Sequence, residues 1–82
     1  MRVEQFQVKN QFLIHAESGT YFQSYNTIIA FIDNEGKITL DRDKWDYSAT
    51  TSKYRNKFTG LTTQETKKKI ESGEVQLVDL NA

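Results

Sequence analysis

Hydrophobic and polar residues alternate along the first part of the chain, which is typical of β-strands with one buried face. Residues 12–17 and 20–25 follow this pattern on either side of Ser18 and Gly19. Two such runs around a Ser-Gly pair predict a hairpin whose loop is those two residues. Residues 3–8 alternate less regularly and predict a weaker first strand.

The loop of this hairpin determines which side chains share a face. With Ser18 and Gly19 in the loop, Phe12 lies opposite Tyr25. One face is then clearly more apolar than the other, and we expect it to be the core face. It carries Phe12, Ile14, Ala16, Tyr21, Gln23 and Tyr25.

Residues 27–33 are apolar at nearly every position, which predicts a central strand covered on both faces. Asn26 breaks the preceding alternation and predicts a bulge or bend. Residues 33–37 predict a second hairpin, because Gly36 adopts a positive φ after a type I turn at little steric cost. The predicted register pairs Asp33 with Lys37, Ile32 with Ile38 and Ala30 with Leu40.

After the strand that carries Ile38 and Leu40, the apolar residues recur at helical spacing. Ser48 or Thr50 is the expected N-cap of a helix over about residues 50–59, and Gly60 ends it. One side of this helix carries Thr51, Tyr54, Phe58 and Leu61, and Lys53, Arg55 and Lys57 are expected on or near another side.

The C-terminal part predicts a second helix and a last strand. Thr62 and Glu65 form a capping box for a helix over residues 63–72, which Gly73 ends, and residues 74–80 read as a strand. The order β-β-β-β-β-α-α-β predicts an α+β fold with a small antiparallel sheet and two short helices near the C-terminal end. A small half-open barrel is the alternative.

Length and composition limit the classes of protein that remain. The 82 residues predict a single domain over residues 1–82 with a thin core. The absence of cysteine excludes disulfides and cysteine-based zinc sites. The chain shows no secretory signal, and its longest apolar run, residues 28–32, is too short to span a membrane, so we expect a cytosolic protein.

The residues with catalytic or metal-binding potential do not form a recognisable motif. His15 is the only histidine, and no nucleophile and orienting partner are evident around it. Asp41, Asp43 and Asp46 do not have the spacing of a calcium loop, and basic residues alternate with them. We therefore expect no catalytic residues, no metal and no cofactor, and a protein that is not an enzyme.

A mixed aromatic and basic segment is the expected partner-binding surface. Residues 48–69 carry six Lys or Arg and one Glu, a net charge of +5 in a chain whose total is zero. Aromatic and cationic side chains together serve either as protein-binding hot spots or as a surface for single-stranded nucleic acid. The candidate residues are Trp45, Tyr47, Lys53, Tyr54, Arg55 and Lys57.

Three segments carry a resemblance to a known family: FQSY (22–25), WDYS (45–48) and TTSKYRN (50–56). With them, residues 8–80 resemble a family of small uncharacterised proteins of bacteriophages and other mobile elements. The resemblance implies an accessory protein of a phage or plasmid that acts in the host cytoplasm. Many such proteins bind a host component stoichiometrically, among them anti-CRISPR and other anti-defence inhibitors, so we expect a protein that binds a host protein. The alternatives are single-stranded nucleic-acid binding and self-association as a homodimer.

Overall fold

The computed structural model describes residues 2–81 and contains one six-stranded sheet with two helices. The order of strands and helices is the predicted one, so the α+β fold class is confirmed. The elements are β1 (Arg2–Gln5), β2 (Gln11–Ala16), β3 (Gly19–Ser24), β4 (Thr27–Asp33), β5 (Ile38–Asp41), α1 (Ala49–Thr59), α2 (Thr63–Ser72) and β6 (Gln76–Val78).

The six strands lie side by side in the order in which they follow one another along the chain. The first four pairs are antiparallel, as expected from short hairpin connections. The last pair, β5 and β6, is parallel. In the sequence, both helices come between β5 and β6. They carry the chain back to the end of the sheet at which β5 begins, so β6 runs parallel to β5 and the sheet is mixed.

The β4–β5 hairpin has the predicted register, with Ile32 opposite Ile38 and Ala30 opposite Leu40. Its turn is closed by a hydrogen bond from the Gly36 amide to the Asp33 carbonyl, 3.0 Å long. Gly36 has a φ of 88°, which glycine adopts without the steric cost that other residues have.

The β2–β3 hairpin differs from the prediction in its loop. Ala16 lies opposite Gly19 and Phe12 lies opposite Gln23, so the turn residues are 17 and 18. Gly19 belongs to β3 and pairs with Ala16 and Asp33. This position requires glycine, because a Cβ there would stand 2.3 Å from the carbonyl oxygen of Ile32. The register shift is two residues, and since strand side chains alternate with period two, the predicted grouping into faces survives.

The prediction of which face of this hairpin forms the core is wrong. Both helices follow β5, and α1 packs on the opposite face, where Phe22, Ala30 and Leu40 are fully buried. A buried hydrogen bond of 3.1 Å between Ser24 Oγ and Thr51 Oγ1 fixes α1 to that side. Alternation shows which side chains share a face, but the face that the helices cover depends on contacts distant in sequence.

Aromatic packing completes the core between the sheet and the helices. The ring of Phe6 meets the rings of Phe22, Tyr54 and Phe58 edge-on at centroid distances of 5.9, 6.5 and 6.4 Å. A bulge at Phe22 adds one residue to β4, and this residue, Ile29, is fully buried as well.

The helix ends confirm the capping predictions. The hydroxyl oxygen of Ser48 accepts a hydrogen bond from the amide of Thr51, so Ser48 is the N-cap of α1. Thr62 and Glu65 form the capping box of α2, with bonds of 3.1 and 2.9 Å.

Candidate functional site

On the face of the sheet opposite the helices, no side chain along β1 to β4 is fully buried. We call this face of the six-stranded sheet the open face. Strand alternation and the observed register place on it eight apolar side chains and four uncharged polar ones. They are Val3, Phe12, Ile14, Ala16, Tyr21, Ile28, Phe31 and Val78, with Gln5, Gln23, Thr39 and Gln76.

No Lys, Arg, Asp or Glu belongs to this set, although 27% of all residues in the chain are charged. By strand alternation Asp33 and Asp41 also fall on this face, but they lie at its borders, at the ends of β4 and β5. Asp33 Oδ1 accepts hydrogen bonds from the turn amides of Glu35 and Lys37. Asp41 is 2% exposed. The charge of the protein is thus concentrated outside the open face.

An aromatic pair occupies the middle of the open face. The rings of Tyr21 and Phe31 lie 4.5 Å apart at an angle of 39°, and both side chains are half-buried. Val3, at the β1 edge, is 59% exposed and Val78, at the β6 edge, is 38% exposed. The apolar side chains of the open face thus lie mainly on β1 to β4, and Thr39 and Gln76 stand between Phe31 and the β6 edge.

The sequence interpretation missed this site because it assigned these side chains to the core. A signal was present, however, since residues 27–33 are apolar on both faces and predict cover on both sides. The structure provides that cover on the helical side, where Ala30 is fully buried. On the other side Phe31 is only half-buried.

The candidate residue Arg55 lies inside the protein. Its side chain is fully buried, so the expectation that it shares an exposed side with Lys53 and Lys57 is wrong. Burial lowers its pKa, and the nearby Asp46 carboxylate partly opposes that shift. The guanidinium lies over the Trp45 ring, 5.2 Å from its centroid, which leaves that ring only partly exposed.

The remaining candidates, Lys53, Tyr54, Lys57 and Tyr47, divide between the core and the surface. Tyr54 is 8% exposed and belongs to the core, with the ammonium groups of Lys53 and Lys57 at 5.5 and 5.7 Å from its ring centroid. Lys57 also donates to the side chain of Gln7. Tyr47 is 46% exposed, the most accessible ring of the set. The structure therefore brings these residues near α1 but buries two of the six.

His15 is part of a line of polar side chains across three strands. Its Nε2 lies 2.7 Å from Glu4 Oε1, and its Nδ1 lies 3.3 Å from the hydroxyl oxygen of Thr20. The hydrogen bond from His15 and the charge of Arg2 lower the pKa of Glu4. The Glu4 contact ties the edge strand β1 to β2, and the Thr20 contact ties β2 to β3.

The acidic segment after β5 is a structural junction. The Asp41 carboxylate accepts four hydrogen bonds from N–H groups, those of Asp43, Lys44, Leu80 and the Asn81 side chain. In the part of the chain that the structure describes, no three His, Asp or Glu side chains cluster as a metal site would require. A shallow cavity of about 300 Å³ lies beside this junction.

Comparison with known proteins gives a family but no characterised relative. The sequence model of a family of unknown function, DUF8033, matches residues 1–74. Neither a curated protein nor a solved structure matches the chain. Among residues 2–81, neither helix is long and apolar enough to cross a membrane.

Proposed function

The chain belongs to the DUF8033 family, whose description assigns no activity, and we propose that it is a non-catalytic protein-binding module. The proposed interface is the open face, and the proposed ligand is the surface of a folded protein. The observation that supports this proposal is an uncharged face with an aromatic centre, Tyr21 and Phe31, on a chain rich in charge. Interface cores are depleted of charged residues and enriched in aromatic ones.

Leaving the apolar side chains of this face in water has a free-energy cost. Large exposed apolar patches on soluble proteins mark interaction sites, because burying them against a partner is favourable. Ile14, Tyr21 and Phe31 are half-buried by their neighbours in the sheet, so the apolar area that remains accessible is available to a partner.

A host protein is one proposed occupant, through the resemblance to proteins of bacteriophages and mobile elements. Such a protein would act stoichiometrically in the host cytoplasm, and inhibition of a defence system is one outcome of that mode of action. Single-stranded nucleic acid is the second candidate ligand, with Lys53, Lys57 and Tyr47 as its contacts. We rank it second because Arg55 and Tyr54 are buried.

Site-specific photo-cross-linking in bacterial cells tests the proposal. The photoreactive residue p-benzoylphenylalanine replaces Phe31 on the open face in one variant and Tyr47 in the matched control. We expect a discrete protein adduct from position 31 that the additional change Tyr21→Glu abolishes. Adducts from position 47 alone, or no adduct from position 31, would contradict the open face as the interface.

A further inference from the structure

We propose that two copies of this chain pack open face against open face, with Tyr21 and Phe31 at the centre of the interface. The inference rests on the proposed function, because it names the protein that covers the same surface. The other occupants, a host protein above all, become outcomes of the test below.

The charge of the open face is compatible with a symmetric dimer. In a two-fold dimer the same patch lies on both subunits, so a charged patch sets like charges near one another. Opposite charges across an interface select partners, and like charges reject wrong ones. The open face has no cation, and its uncharged polar members are Gln5, Gln23, Thr39 and Gln76. The two aspartates with the same alternation lie at its borders, where Asp33 binds turn amides and Asp41 is buried. The centre of the face therefore sets no like charges against each other in a dimer.

The area of the open face is sufficient only for a weak dimer. Six strands of three to seven residues, spaced about 4.8 Å apart, make a face of roughly 24 by 17 Å. Two such faces bury about 800 Å², which is within the range of weak, transient complexes. We therefore expect a weak, reversible dimer.

A second sheet is a suitable cover for the open face. Two twisted sheets pack face to face with their strands roughly aligned, and their facing side chains form a core between them. An 82-residue chain without disulfides has a thin core of its own, and this second core would add to it. Edge pairing through β1 is the less favourable mode, because Arg2 and Glu4 place charges on that strand.

Sedimentation velocity on the full chain, from low micromolar to several hundred micromolar, tests the proposal. We expect the wild type to pass from monomer to dimer with concentration. Tyr21→Glu places a charge in the proposed apolar interface and is expected to raise the dissociation constant about 100-fold or more. Tyr47→Glu is the same substitution at an exposed tyrosine outside the open face, and it is expected to leave the dimer intact.

Each result either supports or overturns the dimer. A wild type that stays monomeric at the highest concentration, or a Tyr21→Glu variant that dimerises like the wild type, overturns it. If Tyr21→Glu does not fold, amide chemical shifts of the wild type on dilution decide: changes across β2, β3 and β4 support the dimer, and changes confined to α1 and α2 overturn it. A monomer that still cross-links another protein from position 31 leaves the proposed function standing.

Discussion

Arg55 donates a hydrogen bond from Nη1 to the backbone carbonyl of Trp45, and its guanidinium also lies over the indole ring of that residue. Its Nη2 donates to Asn56 Oδ1 and Thr63 Oγ1 at 2.8 and 3.1 Å. One buried side chain therefore joins the loop after β5 to both helices. The WDYS and TTSKYRN segments contain most of this network and meet here.

Arg55→Ala is expected to lower the free energy of unfolding by about 3 kcal/mol, because it removes several hydrogen bonds of a fully buried side chain and leaves a cavity beside their partly buried acceptors. Arg55→Lys is expected to recover only part of this, since an ammonium group cannot reproduce the planar fork. Lys53→Ala, on the exposed side of the same helix, is the control and is expected to stay within about 0.5 kcal/mol. Urea unfolding measures all three. Equal midpoints for the Arg55→Ala and Lys53→Ala variants would contradict this role.

The sequence interpretation grouped Arg55 with Lys53 and Lys57, but helical periodicity does not support that grouping. At about 100° per residue, Arg55 lies roughly 160° around the helix axis from both lysines and one turn after Thr51, on the buried side of α1. Its position depends on Trp45, Asp46 and Thr63, which reach it from other elements. By contrast, the caps and the β4–β5 turn were predictable because each depends on residues a few positions apart. Local chemistry is readable from the sequence, whereas the choice of the buried face depends on tertiary contacts.

Gly19→Ala is expected to destabilise the fold by about 3 kcal/mol or more, or to prevent folding, because the new Cβ would overlap backbone atoms of β4. Gly36→Ala is the matched control. Gly36 also has a positive φ, but its Cβ would meet open space. It is expected to cost about 1 kcal/mol. Thermal unfolding separates the two, and similar losses would show that close approach to β4 does not restrict position 19.

The Glu4–His15 contact predicts a pH dependence of the edge strand β1. The pKa of Glu4 is lowered in the folded state, chiefly by the hydrogen bond from His15. A lowered carboxyl pKa contributes stability that is complete above the unfolded value of about 4.3 and is lost as pH falls through the folded value. The amides of β1 are therefore expected to lose hydrogen-exchange protection in acid before those of β4.

Glu4→Gln is the control for this prediction. Glu65 and Glu74 also have lowered pKa values, through the capping box and the Lys69 ion pair respectively, so overall stability falls in the same acid range. The difference in unfolding midpoint between wild type and Glu4→Gln isolates Glu4. It is expected to be largest at neutral pH and to shrink toward zero in acid. A difference that does not change with pH would rule out this linkage.

Binding of single-stranded oligonucleotides is expected to be weak and strongly dependent on salt. Burial removes Arg55 from the basic segment, and Lys69 pairs with Glu74 at 2.8 Å. The lysines at positions 53, 57, 67 and 68 remain, and at roughly 0.7 per neutralised phosphate they allow a slope of log affinity against log salt no steeper than about −3. Fluorescence titration of a labelled oligonucleotide at low and moderate salt measures this slope.

Two variants identify the source of any oligonucleotide binding that appears. Lys53→Ala combined with Lys57→Ala is expected to reduce the slope by about 1.4, the share of two phosphate contacts. Tyr21→Glu on the open face is expected to leave it nearly unchanged, because that face carries no cation to neutralise a phosphate. A slope steeper than the lysines allow, or tight binding near physiological salt, would favour nucleic acid over protein as the ligand.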